Sequence, residues 1–398
     1  MGRNGLDWAH SLLRVARVYA RLGGLCAVAN PARAYPAVPA GPLLWRSGHP
    51  ARQLRQRRPR RTAHRPPYVS LIRLPVHQHT VAKTKASMKS FNNDWPLVSI
   101  VSVNWNQEQL TREMLDSLSH VTYPNLEVIL VDNGSTKGDA SRLKAEFPHI
   151  RFLRLEENTG FAGGNNAGFR MANGKYVLLL NNDTLVDPHF LQPMVNTLEC
   201  DPWVGVVSPK IYFVDHQNTV QYAGTSEIHP ITSRGQKYGY RQRDGEQYAK
   251  SGVTGLANGA CMLVRKRIID TLGGLPEIYF LYYEEHDFTV QLQRHGYVAY
   301  YQADASIWHR GSSSTGRGST LKAYFYHRNR LLFVRRNQRG MQYLLALAYL
   351  FGIAYPKAFL SYALSRQWAH IRAMASALGW HLSRADIRPI NRMFVPTR

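Results

Sequence analysis

The residues best suited to chemistry lie at 158–183, where a run rich in glycine and asparagine leads into an apolar stretch that ends on three polar residues. The pattern predicts a loop and a short helix, whose bare backbone N–H groups suit an anion. A strand is predicted at Tyr176–Leu180, ending on Asn181, Asn182 and Asp183. One carboxylate there suits a hard divalent cation. Together these features predict a site for a nucleotide diphosphate held through a metal.

Alternating strands and helices from Leu97 onward are expected to position these groups. Strands are predicted at Leu97–Val103, Leu126–Val131, Ile150–Leu155 and Tyr176–Leu180, and helices at Glu108–His120 and Lys137–Phe147. This alternation indicates βαβ units and a parallel sheet covered on both faces. Ligands bind such sheets at the carboxyl ends of the strands. Polar clusters follow three strands, at residues 104–106, 132–135 and 181–183, so a single nucleotide site is expected there.

After residue 213 the pattern is less regular. Residues 215–251 predict a long loop on the acceptor side or a small mixed sheet. Further elements are predicted as follows: a strand at Ala260–Val264, a helix from Lys266 toward Leu272, an acidic helix after the aromatic residues at 279–283, and a strand at Ala305–Trp308. The glycine- and serine-rich residues 311–318 predict a mobile loop that orders over bound donor and excludes water.

The C-terminal segment is apolar but interrupted. Tyr343–Pro356 is an apolar run of 14 residues, followed by Lys357 and a second run at Ala358–Leu364. Each run is shorter than the roughly 20 residues that span a bilayer. Two interpretations remain open: a helix pair lying at a membrane surface, or a helical hairpin packed on the domain or on a second subunit.

The net charge of +24 is unevenly distributed. Residues 1–87 carry 16 lysines and arginines against one acid, whereas residues 88–398 carry 34 against 25. Nucleic-acid binding is therefore not expected, because most of the excess charge lies outside the part whose pattern predicts a fold. The three scattered cysteines show neither metal-ligand spacing nor a disulfide framework, which favours a reducing compartment.

Residues 1–87 also differ in composition, with nine of the 21 prolines and an arginine- and proline-rich tract at 52–67. Three interpretations remain open: a disordered basic arm, an organelle transit peptide, or an untranslated segment preceding a start at Met88. A secretory signal is not predicted, because three arginines interrupt the segment Leu6–Val28.

Six motifs occur in an order and at a spacing that resemble one enzyme family. They are Val98–Asn106, Val131–Ser135, Glu157–Asn166, Leu180–Asp183, Asn258–Met262 and Phe280–Phe288. This pattern, over about residues 96–335, closely resembles the family 2 glycosyltransferases of the GT-A fold, in particular the rhamnosyltransferase-like members. The resemblance implies an α/β fold of GT-A type, with a Rossmann-like, mostly parallel sheet, helices on both faces and a C-terminal helical extension. It also implies transfer of a sugar from a nucleotide-diphosphate donor to a hydroxyl, with inversion.

The resemblance places a metal, Mg²⁺ or Mn²⁺, at Asp183. The family commonly has Asp-x-Asp here, whereas this chain has Asn181 in the first position and keeps only the last carboxylate. Diphosphate oxygens and water would complete the shell. His309 follows the predicted strand Ala305–Trp308, where a histidine completes the metal shell in metal-dependent relatives; a structural histidine is the alternative.

The catalytic base implied by the resemblance is Glu285, with Asp287 as the second candidate. Glu284 is close to both, and mutual repulsion is expected to raise the pKa of one acid. Residues 284 and 287 share a helical face while 285 points elsewhere. The sequence leaves open which acid faces the acceptor, and acids in a first helical turn also favour the helix dipole.

The remaining site residues are expected to contact the nucleotide sugar. They are Asn104, Trp105, Asp132, Asn133, Asn165, Asn166, Asn182 and Asp183. Asp132 and Asn133 are expected to meet the nucleobase, on which Trp105 would stack unless it is a core aromatic. Asn165 and Asn166 would lie near the phosphates or sugar, or form a turn. Asn182 would reach the ribose.

The predicted organisation has four parts. They are a basic leader at 1–87, a catalytic domain at 95–310, a flexible loop and helix at 311–340, and apolar or amphipathic helices at 341–398. The expected donor is dTDP-rhamnose, or alternatively a UDP-sugar, and the acceptor a glycan or lipid-linked glycan in cell-surface polysaccharide synthesis. The enzyme is expected in the cytoplasm at the inner face of a bacterial plasma membrane, and a homo-oligomer is compatible with the sequence.

Two other hypotheses remain. A nucleotidyltransferase would need a glycine-rich loop with a basic residue directly after the first strand, whereas Asn104 is followed there by Trp105, Asn106 and Gln107. A catalytically silent nucleotide-binding or membrane scaffold protein would be expected to have lost Asp183 or the acids at 284–287, and both are present.

Overall fold

The computed structural model describes residues 95–311 and 319–383, which form a sheet with helices packed around it. The strands are β1 Val98–Asn104, β2 Leu126–Asn133, β3 Arg151–Leu155, β4 Tyr176–Leu180, β5 Thr184–Val186, β6 Val204–Phe213, β7 Thr219–Tyr222, β8 Gln242–Arg243, β9 Gly252–Thr254, β10 Cys261–Arg265 and β11 Val298–His309. The helices are α1 Glu108–Ser119, α2 Arg142–Glu146, α3 Gly160–Met171, α4 Leu191–Cys200, α5 Lys266–Leu272, α6 Glu284–Arg294, α7 Thr320–Asn337, α8 Gly340–Tyr349, α9 Tyr355–Leu364 and α10 Trp368–Ser383.

The sheet has the order β3-β2-β1-β4-β10-β6-β11-β5. Strands β3, β2, β1 and β4 are parallel, β10 runs antiparallel to both neighbours, and β6 and β11 are again parallel. The short strands β7, β8 and β9 extend the far side with antiparallel pairing. The predicted α/β class with a mostly parallel central sheet is confirmed. Buried aliphatic residues of β1, β2 and β4 pack under α3, α5 and α6 to form the core.

The glycine- and asparagine-rich segment is helical, which corrects the predicted anion-binding loop. Residues 160–171 form α3, and Gly164 and Gly168 lie inside it. A Cβ at Gly168 would lie 2.2 Å from Val101 Cγ1, and one at Gly164 would lie 2.8 Å from Val103 Cγ1. These glycines therefore allow α3 to approach β1 closely. The first N–H groups of α3 are also used, since Phe280 O accepts from Phe161 N at 2.7 Å.

The C-terminal apolar runs form one helix rather than two short ones. The segment Gly340–Leu364 is continuous over 25 residues, with a π-helical turn at Leu350–Ala354. Within the described part of the chain it is the one helix long and apolar enough to cross a membrane, by length and composition alone. Pro356 lies in the first turn of α9, where the π turn accommodates its missing N–H. The two apolar runs, separated in the sequence by Lys357, therefore lie on one continuous helix.

This long helix is packed on one side only. Ala346, Leu350 and Tyr355 contact Leu331 and Val334 of α7. Eight of its large apolar side chains are exposed: Met341, Leu344, Leu345, Phe351, Ile353, Phe359, Leu360 and Leu364. Helix α10 returns along α7. The hairpin interpretation accounts for the face that packs on α7. The membrane-surface interpretation would account for the exposed apolar face.

Several predicted segments differ from the observed ones or cannot be compared. Helix α2 covers Arg142–Glu146 where residues 137–147 were predicted. Strand β11 runs from Val298 to His309, well beyond the predicted Ala305–Trp308. The basic leader at 1–87 and the glycine–serine loop at 312–318 lie outside the described residues. The proposed domain limits therefore stay predictions.

Candidate active site

A chain of side-chain hydrogen bonds joins the ends of three neighbouring strands. At the end of β1, Asn104 donates to Asp132 Oδ1 of β2 at 3.0 Å and accepts from Thr111 Oγ1 at 2.9 Å. Thr111 Oγ1 in turn accepts from Asn182 Nδ2 at 2.9 Å, just after β4. The parallel register pairs Asn104 with Asp132, which explains why these residues meet. The structure thus brings together the strand-end residues that the sequence predicted as one site.

Asp132 keeps one oxygen available. Its Oδ1 bonds Asn104 and Ser135, whereas Oδ2 accepts no hydrogen bond within the described residues and lies 3.5 Å from Arg154 Nη1. An acceptor at this position suits a base N–H. Arg154 was missed from the sequence, although the β2–β3 register places it directly beside Asp132.

Asn133, Asn165 and Asn166 are used mainly by the protein itself. The Asn133 amide donates to Gly160 O at 2.9 Å and accepts from Thr159 N at 3.0 Å, which fixes the start of α3. Asn165 donates to Phe161 O one turn earlier. Asn166 donates to Leu275 O and accepts from Leu275 N, both at 2.8 Å. Their predicted contacts with donor stay predictions, as does stacking on the partly exposed Trp105.

Asp183 and His309 lie side by side. Asp183 Oδ1 is 3.1 Å from His309 Nε2, and both side chains are largely buried. His309 Nδ1 lies 2.6 Å from Gln221 Oε1, an atom that can only accept, so Nδ1 carries a hydrogen. Asn181 Nδ2 lies 3.3 Å from Nε2 and can only donate to it. In the neutral ring, Nε2 therefore presents its lone pair toward a carboxylate.

A cation bound between Asp183 Oδ1 and His309 Nε2 would remove the repulsion between the carboxylate and the nitrogen lone pair. A carboxylate oxygen and an imidazole nitrogen suit Mn²⁺, and a partner that fixes the distal ring nitrogen is usual for histidine ligands. No group of three or more His, Cys, Asp or Glu side chains within residues 95–311 and 319–383 is arranged to hold a metal. The pair Asp183 and His309 thus offers two ligands, and a diphosphate with water would supply the others. Gln221 was not predicted, because it lies in the irregular segment after β6.

The acidic helix α6 starts from a strained turn. Phe280, Tyr282 and Tyr283 have φ of 62°, 68° and 76°, a region that bulky residues rarely adopt. The fully buried Asn329 of α7 donates its amide to the carbonyls of Tyr279, Leu281 and Tyr282, at 3.0, 2.7 and 2.7 Å. These bonds hold the turn that aims the first residues of α6. Nothing in the sequence near α6 indicates them.

Asp287 lies in a closed network inside the protein. It is fully buried and pairs with Arg336 Nε at 2.6 Å. It also accepts from Tyr279 Oη at 2.8 Å and from Asn337 Nδ2 at 3.1 Å. A base must reach the acceptor hydroxyl. The structure therefore favours a positioning role for Asp287, in contrast to its prediction as a second catalytic candidate.

Glu284 and Glu285 differ from Asp287 because each keeps one carboxylate oxygen without a hydrogen bond among the described residues. Burial and the charge of Glu285 raise the pKa of Glu284 well above its usual value. Burial opposes ionisation of Glu285 as well, but the His286 ring at 3.4 Å and the charge of Lys237 lower its pKa below the usual value. These opposite directions favour a proton on Glu284 and the ionised form of Glu285.

The loop before β10 connects Glu285 to the Asp183 region. Glu285 packs against Gly259, where an added Cβ would lie 3.8 Å from its Cβ and Cγ. The next residue, Ala260, accepts through its carbonyl from Asn181 N at 2.9 Å. Glu285 and the pair Asp183 and His309 therefore border the same short loop.

Comparison with known proteins indicates a glycosyltransferase. Residues 99–273 match the family model "Glycosyl transferase family 2". It is 25% identical over 269 residues to N-acetylglucosaminyl-diphospho-decaprenol L-rhamnosyltransferase of Mycobacterium tuberculosis, covering 61% of this chain and 86% of that one. It is 28% identical over 253 residues to the uncharacterised protein y4gI of Sinorhizobium fredii, covering 61% of this chain but only 27% of that protein.

A solved structure is also similar. Mannosyltransferase PcManGT from Pyrobaculum calidifontis, in complex with GDP-Man and Mn²⁺, superposes with a TM-score of 0.45 at 22% identity, covering 74% of this chain and 77% of that one. This likeness is too weak to support a functional assignment.

Proposed function

We propose that this glycosyltransferase moves rhamnose from dTDP-rhamnose to a hydroxyl of a lipid-linked glycan, with inversion and with a divalent cation. The proposal is supported by two neighbouring contacts: Glu285 packs against Gly259, and the next residue, Ala260, accepts from Asn181, two residues before Asp183, which pairs with His309. Single displacement needs a base at the acceptor and a stabiliser at the leaving group. These two groups supply both.

In this mechanism Glu285 accepts the proton of the acceptor hydroxyl while that oxygen attacks the anomeric carbon. The bond from the anomeric carbon to the diphosphate breaks on the opposite face, and its electron pair leaves with the nucleoside diphosphate. Before the transfer, Glu284 holds its own proton and Glu285 carries the negative charge; after it, Glu285 is protonated and the charge has left with the diphosphate. Asp183 and His309 would hold Mg²⁺ or Mn²⁺, whose charge would stabilise the departing diphosphate. Asp132 Oδ2 would accept the N–H of the thymine ring.

The name of the mycobacterial relative supports the rhamnosyl group and the lipid-linked acceptor, and dTDP-rhamnose is the donor expected from the sequence. The direct test offers the full chain dTDP-rhamnose or UDP-N-acetylglucosamine, Mn²⁺, and an N-acetylglucosaminyl-diphospho-polyprenol acceptor. Rhamnose in an inverted linkage is the expected product. If sugar is transferred only from UDP-N-acetylglucosamine, the donor is a UDP-sugar and not dTDP-rhamnose. If a nucleotide binds but no sugar is transferred, the protein is a catalytically silent scaffold.

We further propose that the enzyme works at the inner surface of a bacterial membrane. One apolar face of Gly340–Leu364 is exposed, and residues 319–383 contain no aspartate or glutamate. Of their nine lysines and arginines, Arg339, Lys357, Arg366 and Arg372 are exposed. An apolar face beside cationic side chains suits an anionic bilayer. Because α7 covers the opposite face, the helix is expected to lie along the surface.

Flotation with vesicles tests this placement. Binding is expected with phosphatidylglycerol vesicles and only weakly with phosphatidylcholine vesicles. Ile353→Asp, on the exposed face, should abolish flotation, whereas Trp203→Asp, an equally exposed apolar residue elsewhere, should not. Equal flotation of both variants, or a stable dimer of the detergent-free protein that is lost with Ile353→Asp, would assign the face to something other than lipid.

A further inference from the structure

A cavity of about 400 Å³ lies outside the elements that hold the acids and the strand ends. It is formed by β7, β8 and β9 with the connecting residues 236–254, and Tyr301 of β11 closes one side. Its volume is that of a small-ligand site. Neither the family model, which treats residues 99–273 as a whole, nor the strand-end motifs assign it a role.

The lining is rich in groups that recognise sugars. Tyr238, Tyr248 and Tyr301 supply ring faces together with hydroxyl groups. Tyr301 Oη donates to Tyr248 O at 2.8 Å, which holds two of these rings in place. The side-chain amide of Gln247 has no protein hydrogen-bond partner within the described residues and can both donate and accept.

The charge of the lining is entirely positive. Lys237 and Lys250 both contribute to the wall, and none of the lining residues is an aspartate or glutamate. An ammonium group binds a carboxylate or a phosphate as a point charge. A neutral sugar would use only the tyrosines and amides, whereas an acidic one would use the lysines as well.

The cavity is electrostatically coupled to the base. Burial lowers the pKa of Lys237, and the charge of Glu285 opposes this shift; in return, the charge of Lys237 favours the ionised form of Glu285. Gly224 lines the cavity with φ of 92°, and an added Cβ there would lie 3.7 Å from Tyr301 Cβ. A charged ligand held by Lys237 would change the electrostatic interaction between that lysine and Glu285.

We propose that this cavity is an acceptor subsite for a sugar that carries an anionic group, either a carboxylate or a phosphate. The ring would lie among Tyr238, Tyr248 and Tyr301, and its charge would be neutralised by Lys237 and Lys250. A second hydroxyl-bearing part of the same acceptor would then reach Glu285. This inference rests on the proposed function and narrows its acceptor to an anionic glycan.

The test measures binding of three probes to the full chain by ligand-observed NMR: methyl glucuronide, glucose 1-phosphate and methyl glucoside. At least one charged probe should bind about 10-fold more tightly than methyl glucoside. Lys250→Gln should weaken that binding at least fivefold, and Arg243→Gln, a neighbouring exposed residue outside the lining, should leave it unchanged. The preferred probe tells whether the acceptor charge is a carboxylate or a phosphate.

Three results would overturn the subsite: methyl glucoside binding as tightly as both charged probes, Lys250→Gln binding like the parent, or Arg243→Gln losing as much affinity as Lys250→Gln. Nucleotide binding is measured in the same samples. If dTDP and UDP fail to bind while a charged glycoside does, the proposed function fails and the sugar-binding cavity stands. If nucleotide binds and no glycoside does, the subsite alone is wrong.

Discussion

The strand ends and the start of α6 use their polar side chains in different ways. Around the strand ends, Asn104, Asn133 and Asn166 direct their amides to protein partners and so fix the backbone. At the start of α6, Glu284 and Glu285 are largely enclosed, yet each keeps an oxygen without a hydrogen bond in the described part of the chain. Buried polar atoms are normally satisfied, so unsatisfied ones point to a missing partner.

The comparison shows that the most recognisable motif is mainly scaffold. The residues from Asn158 to Asn166 shape the start of α3 and its contact with β1, whereas single oxygens of Asp132, Glu284 and Glu285 are among the buried atoms without a hydrogen bond in the described residues. Reactive capacity in this fold is therefore concentrated in a few atoms that the scaffold presents.

The largest expected effect concerns the base. Glu285→Gln keeps the shape of the side chain but removes its proton acceptor, and turnover should fall by about 10²- to 10⁴-fold with nucleotide binding retained. The measurement is the rate of transfer together with a nucleotide titration. If Glu285→Gln stays active while Asp287→Asn is folded but inactive, Asp287 and not Glu285 is the base.

The second effect concerns stability. Asp287→Ala leaves Arg336 buried without its partner and should destabilise the fold by about 3–5 kcal/mol, measured by chemical denaturation. Glu113→Ala breaks an exposed pair with Arg310 and should cost about 1 kcal/mol or less. An Asp287→Ala variant as stable as the parent, but as inactive as Glu285→Gln, would show that Asp287 belongs to the reactive group.

A smaller effect tests the scaffold role of α3. Gly168→Ala forces a Cβ against Val101 and should destabilise the protein by about 1–3 kcal/mol. Gly379→Ala, in α10 with open space around it, should instead stabilise by about 0.5–1 kcal/mol. Denaturation of both variants and nucleotide titration of Gly168→Ala check this. If Gly168→Ala weakens nucleotide binding without loss of stability, the segment has the anion-binding role that the sequence predicted.

The smallest effect is the pH dependence of stability. Because the folded protein raises the pKa of Glu284, the folded state holds a proton that the unfolded state releases above about pH 4.5. Stability should therefore fall as pH rises above that value, and Glu284→Gln should reduce this fall. The free energy of unfolding is measured at pH 5 and pH 8 for both proteins. The difference, Glu284→Gln minus parent, should be more positive at pH 8 than at pH 5. An equal difference at both pH values would contradict the assignment of the proton to Glu284.

Local patterns predicted some elements well and others poorly. Strand Tyr176–Leu180 and helix Lys266–Leu272 have the predicted limits, since a continuous apolar run and a clear helical period leave little ambiguity. Residues 160–168 did not look helical, because glycine and asparagine are poor helix formers. Close packing on Val101 and Val103 outweighs that preference.

The site residues, like the elements, were predicted only where the sequence carries a local signal. Asn104 and Asp132 could be placed together because parallel strands end at one edge, and Asp183 and His309 indeed meet. By contrast, Asn329 and Arg336 act on α6 from helix α7, 47 to 50 residues further along the chain. Such contacts have no local signal, so the distinction between Glu285 and Asp287 required the structure.

The most direct test of the account is a thermal-stability titration of the full chain with dTDP and UDP, each with and without Mn²⁺. A ligand that binds only the native state must raise the melting temperature. The account predicts a rise with dTDP that requires Mn²⁺ and disappears in Asp183→Ala. A folded protein that shows no shift with either nucleotide, or a shift that Mn²⁺ and Asp183→Ala leave unchanged, would contradict a metal-held nucleotide site at Asp183 and His309.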